Sequence, residues 1–213
     1  MDHTELNEKL KDWEEHLLHY RLPDWDAIPD LGLYMEQVLV LLKQYLDFLP
    51  SDRKEDPLVT AAAINNYVRQ KTMPEPVKKR YYRIHIAYLL MICSLKQSLS
   101  IAQIRQLIPA GLTAEETERL YATFAERHQR TSAYFARQVR EQAEAPDRED
   151  PAAGEGRDMI LSCAIVGGFA RALADRLLVL PEDKDKEKAK EKEKEKAKDK
   201  EKDKPRDKEK EKK

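Results

Sequence analysis

The stretch Ile64-Asn65-Asn66-Tyr67-Val68-Arg69-Gln70-Lys71-Thr72-Met73-Pro74-Glu75-Pro76-Val77-Lys78-Lys79-Arg80-Tyr81-Tyr82-Arg83 decides the reading of this chain. On a 3.6-residue wheel, Ala61, Ile64, Tyr67 and Val68 share one side of a short helix, while Asn65, Asn66, Arg69 and Gln70 share another. The apolar side can pack and leave the amides and the guanidinium in water. A turn with two prolines follows, then a basic run. That order points to a helix that reads double-stranded DNA through its polar face and to a basic wing that holds phosphates. Asn can pair bidentately with adenine and Arg with guanine. Lys71, Lys78, Lys79, Arg80 and Arg83 supply the positioning charge.

The charge around this stretch is segregated. Between Pro57 and Ile108 there are eight Lys or Arg and one acid, Glu75, in a chain whose formal net charge is −1. The rest of residues 1–181 is acidic, so a basic face sits on an acidic body, the footprint of a phosphate-binding surface. The bland alternative is a solvated face on a small helix. Asn is a poor helix former, however, and two adjacent ones beside a basic run need a reason.

Outward from the island, apolar spacing predicts further helices. Leu6, Leu10, Trp13, Leu17 and Tyr20 recur at helical intervals, as expected of a packing or dimer-contact helix. Residues 21–30 hold two prolines and read as an irregular loop anchored by Trp25 and Ile28. Leu31 to Phe48 carries the stripe Leu31, Tyr34, Val38, Leu41, Leu42, Tyr45 and Leu49. A polar break, Pro50 to Pro57, separates it from the island, where Thr60 can cap the short helix at 61–71. Ile84 to Leu95 is apolar on nearly every side and belongs in the middle of a domain. Ser100 with Gln103, and Thr113 with Glu116, form capping boxes. The second opens a long helix to about Ala143 whose stripe, Leu120, Phe124, Phe135 and Val139, reads as a dimer interface because it is thin for a monomer core. After a loop at 145–157, a last helix from Asp158 to Leu180 is dense in small residues and is expected to pack closely on the long helix or across a subunit boundary.

The last 32 residues, Glu182 to Lys213, contain 16 basic and 13 acidic residues and nothing that could build a core, so they read as a disordered solubilising tail. Cys93 and Cys163 have no partner spacing, which fits a reduced cytoplasmic setting without a disulfide framework. No apolar run is long enough for a membrane span. His16 and His19 lie three apart, but no third ligand accompanies them, and no metal or cofactor is expected. A Gly-rich phosphate loop, a nucleophile elbow and an HExxH pattern are all absent, so the residues give no enzyme reading.

Ile64-Asn65-Asn66-Tyr67, Met73-Pro74-Glu75-Pro76, Lys79-Arg80-Tyr81 and Leu99-Ser100-Ile101-Ala102-Gln103-Ile104 together resemble a MerR-type winged helix-turn-helix over residues 58–108. The chain departs from that pattern at Lys71-Thr72, where Gly commonly ends the recognition helix. It departs again at Tyr82 and Ile84, in place of a capping Ser and an acid. Ile64-Asn65-Asn66-Tyr67-Val68, Lys78-Lys79-Arg80-Tyr81, His85 with Ala87 to Cys93, and Leu33-Tyr34-Met35-Glu36-Gln37-Val38 more closely resemble the bacterial domain-of-unknown-function family 1836 over most of residues 22–180. The residue patterns and the resemblances together give the expectation of an all-α chain: an N-terminal helix at 1–22, a winged helix-turn-helix at 23–110, a helical dimerisation or sensing region at 111–181 and the tail at 182–213. The MerR-type resemblance implies a DNA-binding transcriptional regulator, and the thin stripe makes it a homodimer. The alternative is a winged-helix interaction module that does not bind DNA.

Overall fold

The computed structural model describes residues 3–47, 59–143 and 155–178. The polar break at 50–57, Phe48, Leu49 of the expected stripe, the first part of the 145–157 loop and the charged tail lie outside the described residues. Those residues form seven α-helices and one short 3-10 turn, α1 (His3–His19), the turn Trp25–Ala27, α2 (Met35–Tyr45), α3 (Ala61–Arg69), α4 (Arg83–Lys96), α5 (Ile101–Leu107), α6 (Ala114–Ala143) and α7 (Glu155–Leu177). Extended pairing among them is limited to two isolated antiparallel bridges, Leu33 with Tyr81 and Val77 with Arg80. The architecture is all-helical, as the periodicity predicts.

α4 is the centre. Every residue from His85 to Cys93 is buried, because a helix apolar on all sides is stable only when neighbours cover all of it. α2, α5 and α6 pack around it. α2 contributes Val38 and Leu42, with Leu46 just past its end, and α5 contributes Ile104. α5 starts where the Ser100–Gln103 box predicts: Gln103 N–H donates to Ser100 Oγ at 3.3 Å, and Ser100 N–H to Gln103 Oε1 at 2.9 Å. The Thr113–Glu116 box opens α6 in the same way.

α2 begins at Met35, four residues later than the apolar stripe predicts. Leu33 exchanges both backbone hydrogen bonds with Tyr81, each at 2.9 Å, and that extended pairing holds the chain out of helix until Tyr34. Leu31 and Tyr34, expected on the helix's packed stripe, are consequently exposed.

The long helix also differs from expectation. Its buried line is Thr117, Tyr121, Ser132, Ala136 and Val139, a set of mostly small or polar side chains that hydrophobic counting underrates. α1 lies antiparallel along it: Glu14 pairs with Arg140, Ser132 Oγ donates to Leu17 O at 2.8 Å, and the Tyr20 ring meets His128 edge-on at 5.6 Å. Further along, Tyr121 Oη donates to Pro23 O at 2.7 Å and tilts against Trp25, while Ile28 is fully buried. The helix therefore has a partner inside the chain, along a line that shares only Val139 with the expected stripe. Val139, expected at a dimer seam, is part of the line that α1 covers, and Leu120 and Phe124 are half-buried; Phe135 is exposed.

Contacts within the chain gather residues through Arg171 into one unit and begin a second at Ala172, inside α7. The described part of the second unit is the last turns of that helix. Among the described residues, no helix is long and apolar enough to cross a membrane.

Candidate nucleic-acid interface

α3 forms because three alanines follow a good N-cap. Thr60 Oγ1 accepts from Ala63 N–H at 3.1 Å, satisfying one of the donors that a helix start leaves open. Ile64 and Tyr67 are buried on the side that meets α2, while Asn65, Arg69 and Gln70 are exposed and Asn66 is half-buried. The division expected from the wheel is present. Burial pushes the Tyr67 phenol up to about 12, so it packs as a neutral ring. On the exposed side, Arg69 Nη2 and Gln70 Nε2 both donate to Asn66 Oδ1, at 2.7 and 3.3 Å.

The helix ends at Arg69, two residues before the expected Lys71, through a Schellman motif. Lys71 N–H donates to Val68 O and Thr72 N–H to Tyr67 O, both at 2.9 Å. Such an ending requires a left-handed residue, and Lys71 takes that conformation with φ of 54°. Gly would adopt it without the Cβ clash that makes it cost other residues about 1–2 kcal/mol.

The basic run repeats this choice. Val77 and Arg80 exchange backbone hydrogen bonds at 3.0 and 3.1 Å around Lys78 and Lys79, whose φ values are 50° and 63°. Two consecutive positive-φ residues between paired neighbours are the signature of a type I′ turn, which favours Asn-Gly. Here both positions are lysine, and both side chains are exposed. All three described non-glycine residues with positive φ are thus lysines within nine positions of one another.

The remaining basic residues of the run have structural work. Arg80 Nη1 donates to Gly32 O at 2.9 Å and Nη2 to Tyr34 Oη at 2.7 Å, with its guanidinium 4.3 Å from the Tyr34 ring centroid. Gly32 makes room for it: a Cβ there would lie 2.7 Å from Arg80 Cδ. Arg83, expected on phosphate, braces the 23–30 loop. Its Nε donates to Ile28 O at 2.9 Å, its Nη1 pairs with Asp26 at 3.1 Å, and its guanidinium lies over Trp25. A guanidinium engaged in this way can reach a phosphate only by giving up those partners.

His85 locks the run to the core. Tyr82 N–H donates to His85 Nδ1 at 3.0 Å, so Nε2 carries the hydrogen and donates to Glu75 O at 3.0 Å. The imidazole takes the part that Glu or Gln plays in an ordinary capping box, which explains how α4 starts on Tyr82 without a capping Ser. Sequence reasoning left out Tyr34 and Arg105. Arg105 Nη1 donates to Gln70 O at 3.2 Å, and so adds a charge from α5 beside the end of α3. Its place in the basic count of the island was the signal for it.

Other candidates stay apart. His19 is exposed and bonds to Glu15 O, whereas His16 stacks on Trp13. Among the described residues no group of three or more His, Cys, Asp or Glu could hold a metal ion. Cys93 is buried, its thiol pushed up to about 12 by desolvation, and Cys163 is exposed.

Residues 23–124 match the model of the family described as "Domain of unknown function (DUF1836)". The match takes in α2 through α5 and the first part of α6, and supports the family resemblance carried by the Asn65-Asn66-Tyr67 and Lys78-Lys79-Arg80-Tyr81 strings. No curated protein and no solved structure matches the chain.

Proposed function

We propose that this protein is a DNA-binding transcriptional regulator in which α3 enters the major groove and the Lys78–Lys79 turn rests on the adjacent phosphates, a MerR-like winged helix-turn-helix made by α2, α3, the turn and α4. The observation that carries this reading is that the three non-glycine residues at positive φ among the described residues, Lys71, Lys78 and Lys79, are all lysine. Strain of about 1–3 kcal/mol per non-glycine residue in that region persists where a side chain is needed for another purpose, and it clusters at functional sites. Exposed ammonium groups close in sequence to the exposed Asn65, Arg69 and Gln70 give that purpose: charge for the sugar–phosphate backbone to accompany side chains able to read base edges.

In this reading each residue has its own role. Lys71, Lys78 and Lys79 position the protein on the duplex. Arg69 and Asn65 read bases, and Asn66 orients Arg69 through the 2.7 Å bond. Arg80 and Arg83 hold the wing to Tyr34 and to the 23–30 loop, so they act as positioning residues. Two copies on two half-sites supply the interface area that one small module lacks. The setting is cytoplasmic, and the reading is of a binding protein rather than an enzyme.

Selection of bound duplexes from a random pool tests the proposal, with a palindromic sequence as the expected result. A second reading, an interaction module that meets an acidic protein surface, draws on the same Asn66 bond, which already occupies the amide oxygen that adenine would need. Salt separates the two. Base readout leaves a preference among duplexes that persists as ionic strength rises, and a generic ion pair leaves none.

A further inference from the structure

We propose that Arg105 of α5 and Lys71 at the end of α3 together grip one phosphate of the duplex, a second anchor for α3 besides the Lys78–Lys79 turn. The grip rests on the DNA-binding reading of α3 and adds to it a residue from another helix.

The first observation is where α5 puts the guanidinium. Gln103 and Ile104 are buried and seat the helix, which packs on α4, while Arg105, the next residue round, is exposed. From there Arg105 Nη1 reaches back thirty-five positions and donates to Gln70 O at 3.2 Å. That carbonyl belongs to the peptide group leading into Lys71. A guanidinium nitrogen therefore lies within about 6 Å of the Lys71 Cα, a gap that a lysine side chain spans. The contact also does the ordinary work of a helix C-cap, satisfying one carbonyl that the end of α3 leaves open. One N–H is enough for that, and a guanidinium has five.

The second observation is the lack of a carboxylate. Arg80 and Arg83 are engaged by Gly32, Tyr34, Ile28 and Asp26. Among the described residues no acid pairs with Arg105 or Lys71, and Glu75 is the single acid between Pro57 and Ile108. Two cations held this close repel each other, and Lys71 carries the further strain of a φ of 54°. An anion between them turns the repulsion into attraction and accepts charge-assisted hydrogen bonds from both groups. With the exposed face of α3 in the major groove, the anion beside its end is a backbone phosphate. This anchor is separate from the wing. Thr72 and Met73 are buried, so the chain dips into the core after Lys71 and is back at the surface at the Lys78–Lys79 turn.

Anisotropy titrations of the full chain on its selected duplex, across a salt series, test the grip, with a urea midpoint for each variant. Arg105→Gln should weaken binding about tenfold and lower the slope of log affinity against log salt by up to about one, with base preference unchanged. Arg105→Lys keeps the charge and should keep the parent's slope. Because the two residues share a phosphate, Lys71→Gln should cost less affinity in the Arg105→Gln chain than in the parent, whereas Lys78→Gln should cost the same in both. A parent that binds no duplex sinks the DNA-binding reading and the anchor with it. With a parent that binds, the anchor alone is overturned by Arg105→Gln with the parent's salt slope, as a cap without a phosphate contact would give. It is overturned equally by Arg105→Lys that loses as much slope as Arg105→Gln, or by Lys71→Gln and Arg105→Gln costs that simply add.

Discussion

Replacing Lys78 by Asn and Lys79 by Gly should make the protein more stable and a poorer DNA binder. Both lysines sit at positive φ, 50° and 63°, in a two-residue turn closed by the Val77–Arg80 hydrogen bonds. Asn-Gly is the pair such a turn favours. Each lysine costs about 1–2 kcal/mol in that region, and Gly gives back about 0.5–1 kcal/mol through the entropy of the unfolded chain. The net gain is about 1–2 kcal/mol, read as a higher urea midpoint with an unchanged slope. On the selected duplex, loss of two phosphate contacts should lower the slope of log affinity against log salt by about two. Urea unfolding and fluorescence anisotropy across a salt series measure the two effects on the same protein. A double variant less stable than its parent would refute the turn geometry. One that is more stable but binds with the same affinity and salt slope would refute the assignment of these lysines to phosphates.

Arg69→Ala should cost on the order of 1–3 kcal/mol on the preferred duplex and relax preference at one base pair, measured by competition among single-base variants; unchanged preference would remove α3 from the groove. His85→Leu should destabilise by about 2–4 kcal/mol, because it leaves Tyr82 N–H and Glu75 O without partners; a urea midpoint within error of the parent would show that the imidazole does not tie the wing to α4. Desolvation holds His128 below its ordinary value of 6.5. The unfolded chain therefore takes up that proton first, and the stability tied to neutral His128 is complete above 6.5 and lost as pH falls from there toward the depressed folded value. His128→Phe should lose less stability than the parent between about pH 7.5 and 5, and equal losses would place the pH dependence elsewhere.

The helices were legible in sequence because their signals are local. The continuous apolar run of α4, the Thr60 cap and the Ser100 and Thr113 boxes each depend on residues within one turn of one another, so periodicity and capping chemistry determine them without knowledge of the fold. The polar face of α3 was legible for the same reason. What the sequence could not determine is what its polar and small residues meet across long separations. Arg83 reads as one more positive charge until the loop residues Asp26 and Ile28, more than fifty positions away, are folded against it. The α6 stripe reads as thin because Thr117, Ser132 and Ala136 carry little hydrophobicity; only the tertiary structure brings α1 alongside, and close approach favours small side chains there. The delay of α2 to Met35 depends likewise on Tyr81, forty-eight residues from Leu33. The left-handed lysines belong to the same class. Sequence propensity places Gly or Asn at such φ values, and it is the Schellman hydrogen bonds and the Val77–Arg80 pairing, held in place by the core, that force lysine into them. Local composition determined the helices and the basic face; long-range packing decided which of its charges remain free to bind.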